Sequence, residues 1–109
     1  MSYKVVTWGT GNVGKYAIRA VLNHPELELV GHIVSSEAKS GQDAAQLAGL
    51  DQACGVSASH DIDAVLDLQP DCVVYTAHSE TRMMEAAEDQ ARCLRRGINV
   101  VASSLFMLQ

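Results

Sequence analysis

The chain has 109 residues, 48% of them apolar and 5% aromatic, and a formal net charge of −5. That length makes one domain with room for a core. The lack of any clustered Lys/Arg run argues against nucleic acid or a membrane surface as the main partner.

Tyr3–Trp8 reads as a first strand that delivers the chain into Gly9-x-Gly11-x-x-Gly14. In a turn of this kind Gly9 permits the tight bend and Gly11 lets the backbone approach a pyrophosphate. Gly14 lets the next helix lie close to the strand. That helix starts around Asn12 or Val13 and carries Val13, Ala17 and Val21 as a stripe, with Ile18 and Leu22 beside it. Its free N–H groups face the turn, so Gly9, Thr10, Gly11, Asn12, Val13 and Gly14 form a candidate cradle for a dinucleotide. A glycine-rich turn without a ligand is the plain alternative. Trp8, the only tryptophan, is expected to pack at the strand end.

Asn23-His24-Pro25 stops the helix, and Leu27 to Val34 makes a second strand with Leu27, Leu29 and Ile33 alternating. Gly41 to Leu47 reads as a short helix, Gly49 to Gly55 as a loop and Val56 to Ser59 as a brief strand. Asp61 to Leu68 follows as a helix with Asp61 and Asp63 in its first turn and Pro70 past its end. Cys72-Val73-Val74-Tyr75 has the continuous apolar character of a strand buried on both faces. The longest helix runs from Ser79 to Arg96, with Met83, Ala87, Ala91 and Leu94 as its inner face and Gly97 as its stop. Ile98 to Ala102 is the last strand. Strand–helix alternation of this kind predicts an α/β domain, a doubly wound parallel sheet of the Rossmann fold.

Ligands of such sheets lie beyond the carboxyl ends of the strands. The second strand ends I-V-S-S-E-A-K-S, where an enzyme using NAD usually shows an acid for the ribose hydroxyls. Ser35 and Ser36 can donate to a 2′-phosphate and Lys39 adds charge, which favours NADP. Glu37 can instead grip the ribose of NAD, so NAD stays open, as does an ordinary polar loop. Thr76, Ala77 and His78 leave the fourth strand where the nicotinamide-side ribose would lie. His78 is better read as a cap or a solvent-facing residue than as a proton donor. Ser103, after the last strand, can contact the nicotinamide amide or simply start a loop. His24, His32 and His60 have no spacing that builds a metal site or a nucleophile–base pair.

Cys54, Cys72 and Cys93 are scattered, odd in number and without a C-x-x-C pair, which argues against disulfides and structural zinc. With no apolar leader and no run of membrane-spanning length, a cytoplasmic, unsecreted chain is the expectation.

These blocks together resemble the N-terminal domain of the dihydrodipicolinate reductase-like superfamily, nearest its 2,4-diaminopentanoate dehydrogenase and native amine dehydrogenase branch. The residues carrying the resemblance are Trp8–Gly14, His24–Gly31, Ser40–Gly49, Asp61–Leu66, Pro70–Ala77 and Gly97–Ser104. The resemblance implies an NAD(P)-dependent oxidoreductase acting on an amine or imine C–N bond. Members of the superfamily continue into a substrate-binding and dimerising domain. Amine dehydrogenases also resemble one another in a glutamate just after the last strand, where this chain has Ser103 to Gln109 and no carboxylate. No catalytic residue carries over. The expectation is therefore a cofactor half that meets its small amine or imine substrate through a further domain and is inactive alone. A free-standing nucleotide sensor and the cofactor domain of an unrelated dehydrogenase are the alternatives. A sheet face or edge left bare would favour self-association into a homo-oligomer.

Overall fold

A computed structural model describes residues 3–9, 11–35, 37–76 and 83–102, without the side chains of 11–13, 83–86 and 102. Thr10, Ser36, Ala77, His78 and Ser103 lie outside the described residues, as does the expected start of the longest helix at Ser79. The elements run β1 (Tyr3–Trp8), α1 (Gly11–Asn23), β2 (Leu27–Ile33), α2 (Ala44–Leu47) and β3 (Ala58–Ser59). They continue α3 (Ile62–Leu66), β4 (Cys72–Tyr75), α4 (Met83–Arg95) and β5 (Asn99–Ala102). The five strands form one parallel sheet in the order β3-β2-β1-β4-β5.

β1 is central, and Val5 to Trp8 are buried on both faces. Right-handed crossovers run toward β3 in the first half and toward β5 in the second, so their helices land on opposite sides. Alternate β1 residues record this. Val5 packs with Ile18 and Val21 of α1 and Ala44 of α2. Val6 and Trp8 pack with Val65 and Leu66 of α3 and Cys93 of α4. The doubly wound sheet is as the sequence leads one to expect.

Several expectations need correction. The apolar residues of β2 do not share one face, because the register with β1 slips between Val5 and Val6: Leu29 pairs with Val5, but Gly31 with Val6. The extra residue of this bulge leaves Leu27 and Leu29 toward α1 and turns Ile33 toward α3 and α4. Gly31 faces the same side, where a Cβ would meet Val65 Cγ1 at 2.8 Å.

The helix expected from Gly41 begins only at Ala44. Gly41 has φ +90° and Asp43 is extended, so residues 41–44 pair with the entry to β3 instead. Gly41 N–H donates to Ala58 O at 2.7 Å, Ala58 N–H to Gln42 O at 2.7 Å and Ala44 N–H to Val56 O at 2.8 Å. The same pairing confines β3 to Ala58–Ser59. α3 likewise stops at Leu66, before the left-handed Gln69.

In α4, Ala87 is exposed and Leu94 is 64% exposed, whereas Asp89 and Cys93 are buried. The inner face is turned because Tyr75, at the end of β4, donates its hydroxyl to Asp89 Oδ2 at 2.8 Å. A hydrogen-bonded carboxylate thereby occupies a place that apolar periodicity assigns to alanine and leucine.

Finally, β4 is not buried on both faces. Val73 and Tyr75 are, but Cys72 and Val74 on the α1 side are only partly covered. There Val101 is 55% and Tyr3 50% exposed, and they line a shallow depression of about 610 Å³ with Leu27 and Val74. No helix of the described residues is long and apolar enough to cross a membrane.

Candidate functional site

Three strand ends meet at the carboxyl edge of the sheet: Trp8 lies in register with Ile33 on one side and Tyr75 on the other. Gly9, at φ 111°, bends the chain here while its N–H still donates to Ile33 O at 2.9 Å. The ladder is thus carried one residue past β1 before the chain enters α1 at Gly11. A Cβ on Gly14 would stand 2.5 Å from Gly9 O and 3.1 Å from Thr76 Oγ1. That distance is far inside van der Waals contact, and the nearest atom is backbone. The spacing of the first and third glycines is therefore a packing requirement: it lets the first turn of α1 sit directly on the bend.

A helix leaves its first four N–H groups without intrahelical acceptors and carries a partial positive charge at that end. Among residues 11–14 no acidic side chain opposes that charge. Main-chain donors beside a glycine bend suit an anionic, phosphate-like group.

The neighbouring ends are tied to this bend. Thr76 N–H and Oγ1 both donate to Trp8 O, at 2.8 and 3.1 Å, so this buried threonine clamps β4 to β1. Its hydroxyl proton is committed to the scaffold. Below it Trp8 and Tyr75 meet edge to face at 5.2 Å between ring centres, so the tryptophan packs at the strand end as expected. After β2, Val34 N–H donates to Ser59 O at 3.0 Å and Ser35 emerges exposed. Lys39 is half-buried in a turn where Ser40 N–H donates to Glu37 O and Gln42 N–H to Lys39 O. Gly9, Gly14 and Thr76 are thus brought together, while Ser35 and Lys39 lie at the β2 end.

Sequence reading placed His32 in no metal site or nucleophile–base pair and did not foresee its burial. Its ring is fully buried on β2 and shares a 2.7 Å hydrogen bond between Nδ1 and Thr7 Oγ1, while Nε2 has no partner among the described residues. Burial drives its pKa down from 6.5 to about 4, against an opposing hydrogen bond to Thr7 and with help from the Lys39 charge. The ring is therefore neutral, forming part of the floor under the β1 and β2 ends. Asp43 was also missed. Partial burial pushes its pKa up, but N–H donors from Cys54, Gly55, Gln46 and Ala45 outweigh that and hold it below the ordinary value. It caps α2 and fastens the loop that closes at Gly55. An aspartate just before an Ala-rich stretch was the available signal for that cap.

A five-stranded parallel sheet with a glycine bend after its first, central strand, and a helix N-terminus set on that bend, defines a doubly wound nucleotide-binding domain. The family model for "Dihydrodipicolinate reductase, N-terminus" matches residues 3–104, and the chain belongs to that family. The domain is a pyridine-nucleotide-binding one. An amine dehydrogenase from Streptomyces virginiae is 50% identical over 103 residues, 94% of this chain and 29% of that protein. A 4-hydroxy-tetrahydrodipicolinate reductase from Nostoc sp. is 34% identical over 62 residues, 57% of this chain and 22% of that protein. The solved amine dehydrogenase of Mycobacterium smegmatis superposes with a TM-score of 0.83 at 30% identity, covering 94% of this chain and 30% of that one. The chain spans less than a third of the length of these relatives.

Proposed function

We propose that this domain holds NADP, in preference to NAD, across the carboxyl ends of β1, β2 and β4, and serves an oxidoreductase acting at an amine or imine C–N bond. The observation that carries the cofactor reading is that Gly14 has no room for a Cβ, which would stand 2.5 Å from Gly9 O, so the first turn of α1 sits directly on the bend. The family and the relatives named amine dehydrogenase and 4-hydroxy-tetrahydrodipicolinate reductase support the reaction class.

In this reading the N–H groups of residues 11–14 bind the pyrophosphate, and Gly11 leaves room for it. Ser35 and Lys39, with Ser36, receive the 2′-phosphate. Thr76 keeps the β4 end beside the bend, and the main chain of Ala77 and His78, which follow it in sequence, is assigned to the second ribose. The nicotinamide, when bound, supplies the hydride chemistry. The domain's own contribution is to orient the ring and exclude water from one of its faces. The substrate, a small amine or imine, is met through a further domain.

Calorimetric titration of the 109-residue chain tests this. NADP is expected to bind more tightly than NAD, and Gly11→Val to abolish binding with helix content unchanged, since its branched side chain fills the pyrophosphate space. NAD binding tenfold tighter, about 1.4 kcal/mol, would overturn the preference. Gly11→Val binding as well as the parent would overturn the site.

A further inference from the structure

Glu37 is the residue of the β2 end that is hardest to reconcile with a phosphorylated ribose, and its surroundings suggest how the chain manages it. β2 and β3 leave the sheet side by side, Ile33 in register with Ser59. This brings His60, the next residue, alongside the loop that follows β2. His60 is held there from both directions: its N–H donates to Ser40 Oγ at 3.4 Å, and Ser59 Oγ accepts from Asp61 N–H at 3.0 Å. The Glu37 carboxylate lies 3.7 Å from His60 Nε2. Because the sheet order is β3-β2-β1, His60 stands on the side of β2 remote from β1 and the glycine bend. The carboxylate therefore stands on that outer side, away from the bend, and the ring attracts it when protonated. The turn through Glu37 and Lys39 is itself fixed, with Gln42 Nε2 donating to Ala38 O at 2.7 Å and Gly41 N–H to Ala58 O at 2.7 Å.

We propose that His60 is a positioning residue for cofactor choice: by anchoring Glu37 at the β3 end, it leaves the 2′ position of the adenosine ribose to Ser35 and Lys39. Released from His60, the carboxylate is free to reach the β2 end, where it would accept from the hydroxyls of an unphosphorylated ribose and repel a 2′-phosphate. The same loop thus holds both specificities, and one imidazole selects between them. Other charges near the pair are Lys39, on the same turn, and Asp61, next to His60. The inference rests on the cofactor reading above.

The test measures Kd for NADP and for NAD with the parent, His60→Gln, Glu37→Gln and the double variant, at fixed pH and ionic strength. The pair is exposed, so the expected shift is modest: His60→Gln lowers the NADP-over-NAD preference about threefold. Glu37→Gln raises that preference, and adding His60→Gln to Glu37→Gln changes it no further. An unchanged ratio in His60→Gln overturns the proposal, as does equal weakening of both dinucleotides, which is what simple loosening of the loop produces. An equal effect of His60→Gln in the Glu37→Gln background also overturns it, since His60 would then act without Glu37. If the parent binds neither dinucleotide, the cofactor reading itself falls, an outcome distinct from the others.

Discussion

Acidification is the sharpest probe of this core, because one buried ring dominates the response between pH 6.5 and 4. His32 is fully enclosed, bonded at Nδ1 to Thr7 and without a partner at Nε2 among the described residues, and its pKa lies at about 4. The unfolded chain takes up the proton near pH 6.5, the folded chain only near 4. The stability held by the neutral ring is therefore complete above pH 6.5, declines as pH falls and is gone below about 4. At ~1.36 kcal/mol per pH unit, that interval amounts to about 3 kcal/mol, a large share of the ~5–15 kcal/mol of a typical domain. Urea unfolding followed by circular dichroism from pH 7.5 to 4, on the parent and on His32→Gln, isolates the effect, since the other titrating groups are common to both. The parent should lose about 3 kcal/mol more than the variant over this range. Should His32→Gln fold too poorly to compare, the ring's Cε1–H resonance in the parent gives its pKa directly. Parallel pH profiles, or a ring titrating near 6.5, would refute the argument.

Gly14→Ala sets helix propensity against packing. Alanine favours the helix by about 1 kcal/mol, but the Cβ, 2.5 Å from Gly9 O, forces a backbone shift typically costing about 1–3 kcal/mol or more. Thermal unfolding should show a net loss, and a gain would contradict the contact. Asp43→Ala removes the α2 cap and the acceptor for Cys54 and Gly55 N–H, so a loss of about 1–3 kcal/mol is expected in urea. Because the folded-state pKa of Asp43 is depressed below 3.8, its contribution is present above pH 3.8 and fades as pH falls further, below the His32 window. A fully enclosed Cys93, its thiol pushed up by burial and by the Asp89 charge, should resist Ellman's reagent until the chain unfolds. Cys72, raised by burial and then by Asp71, should react slowly, and the half-buried Cys54 first. Labelling of Cys93 in the folded state would contradict its placement.

The parallel sheet and the glycine bend were legible because each rests on local pattern: apolar runs, the Gly9–Gly11–Gly14 spacing and breakers such as Pro25 and Gly97. What escaped depends on partners far apart in sequence. A bulge at Val30 and Gly31 leaves no compositional mark, yet it decides that His32 faces Thr7 and that Ile33 faces α3 and α4. The inner face of α4 could not be read from apolar spacing, because the phenol of Tyr75 draws Asp89 inward. Gly41 was taken for a helix start although Asp43 before the alanines marks the cap; the pairing of this segment with Ala58 leaves no local sign. At the candidate site, the bend at Gly9 and the close seating of Gly14 were legible from the glycine spacing. The His60–Glu37 pair was not, because it exists only once β3 lies beside β2.

The direction of winding also has a consequence for the apolar hollow around Val74 and Val101. A strand added beyond β5 by another right-handed crossover would bring its helix to the α3 and α4 side, leaving that hollow open. Shielding it requires a segment that returns by some other path, through contacts of long sequence separation. Such contacts carry the largest loop-closure cost, so this flank would be the last part of the sheet to consolidate during folding.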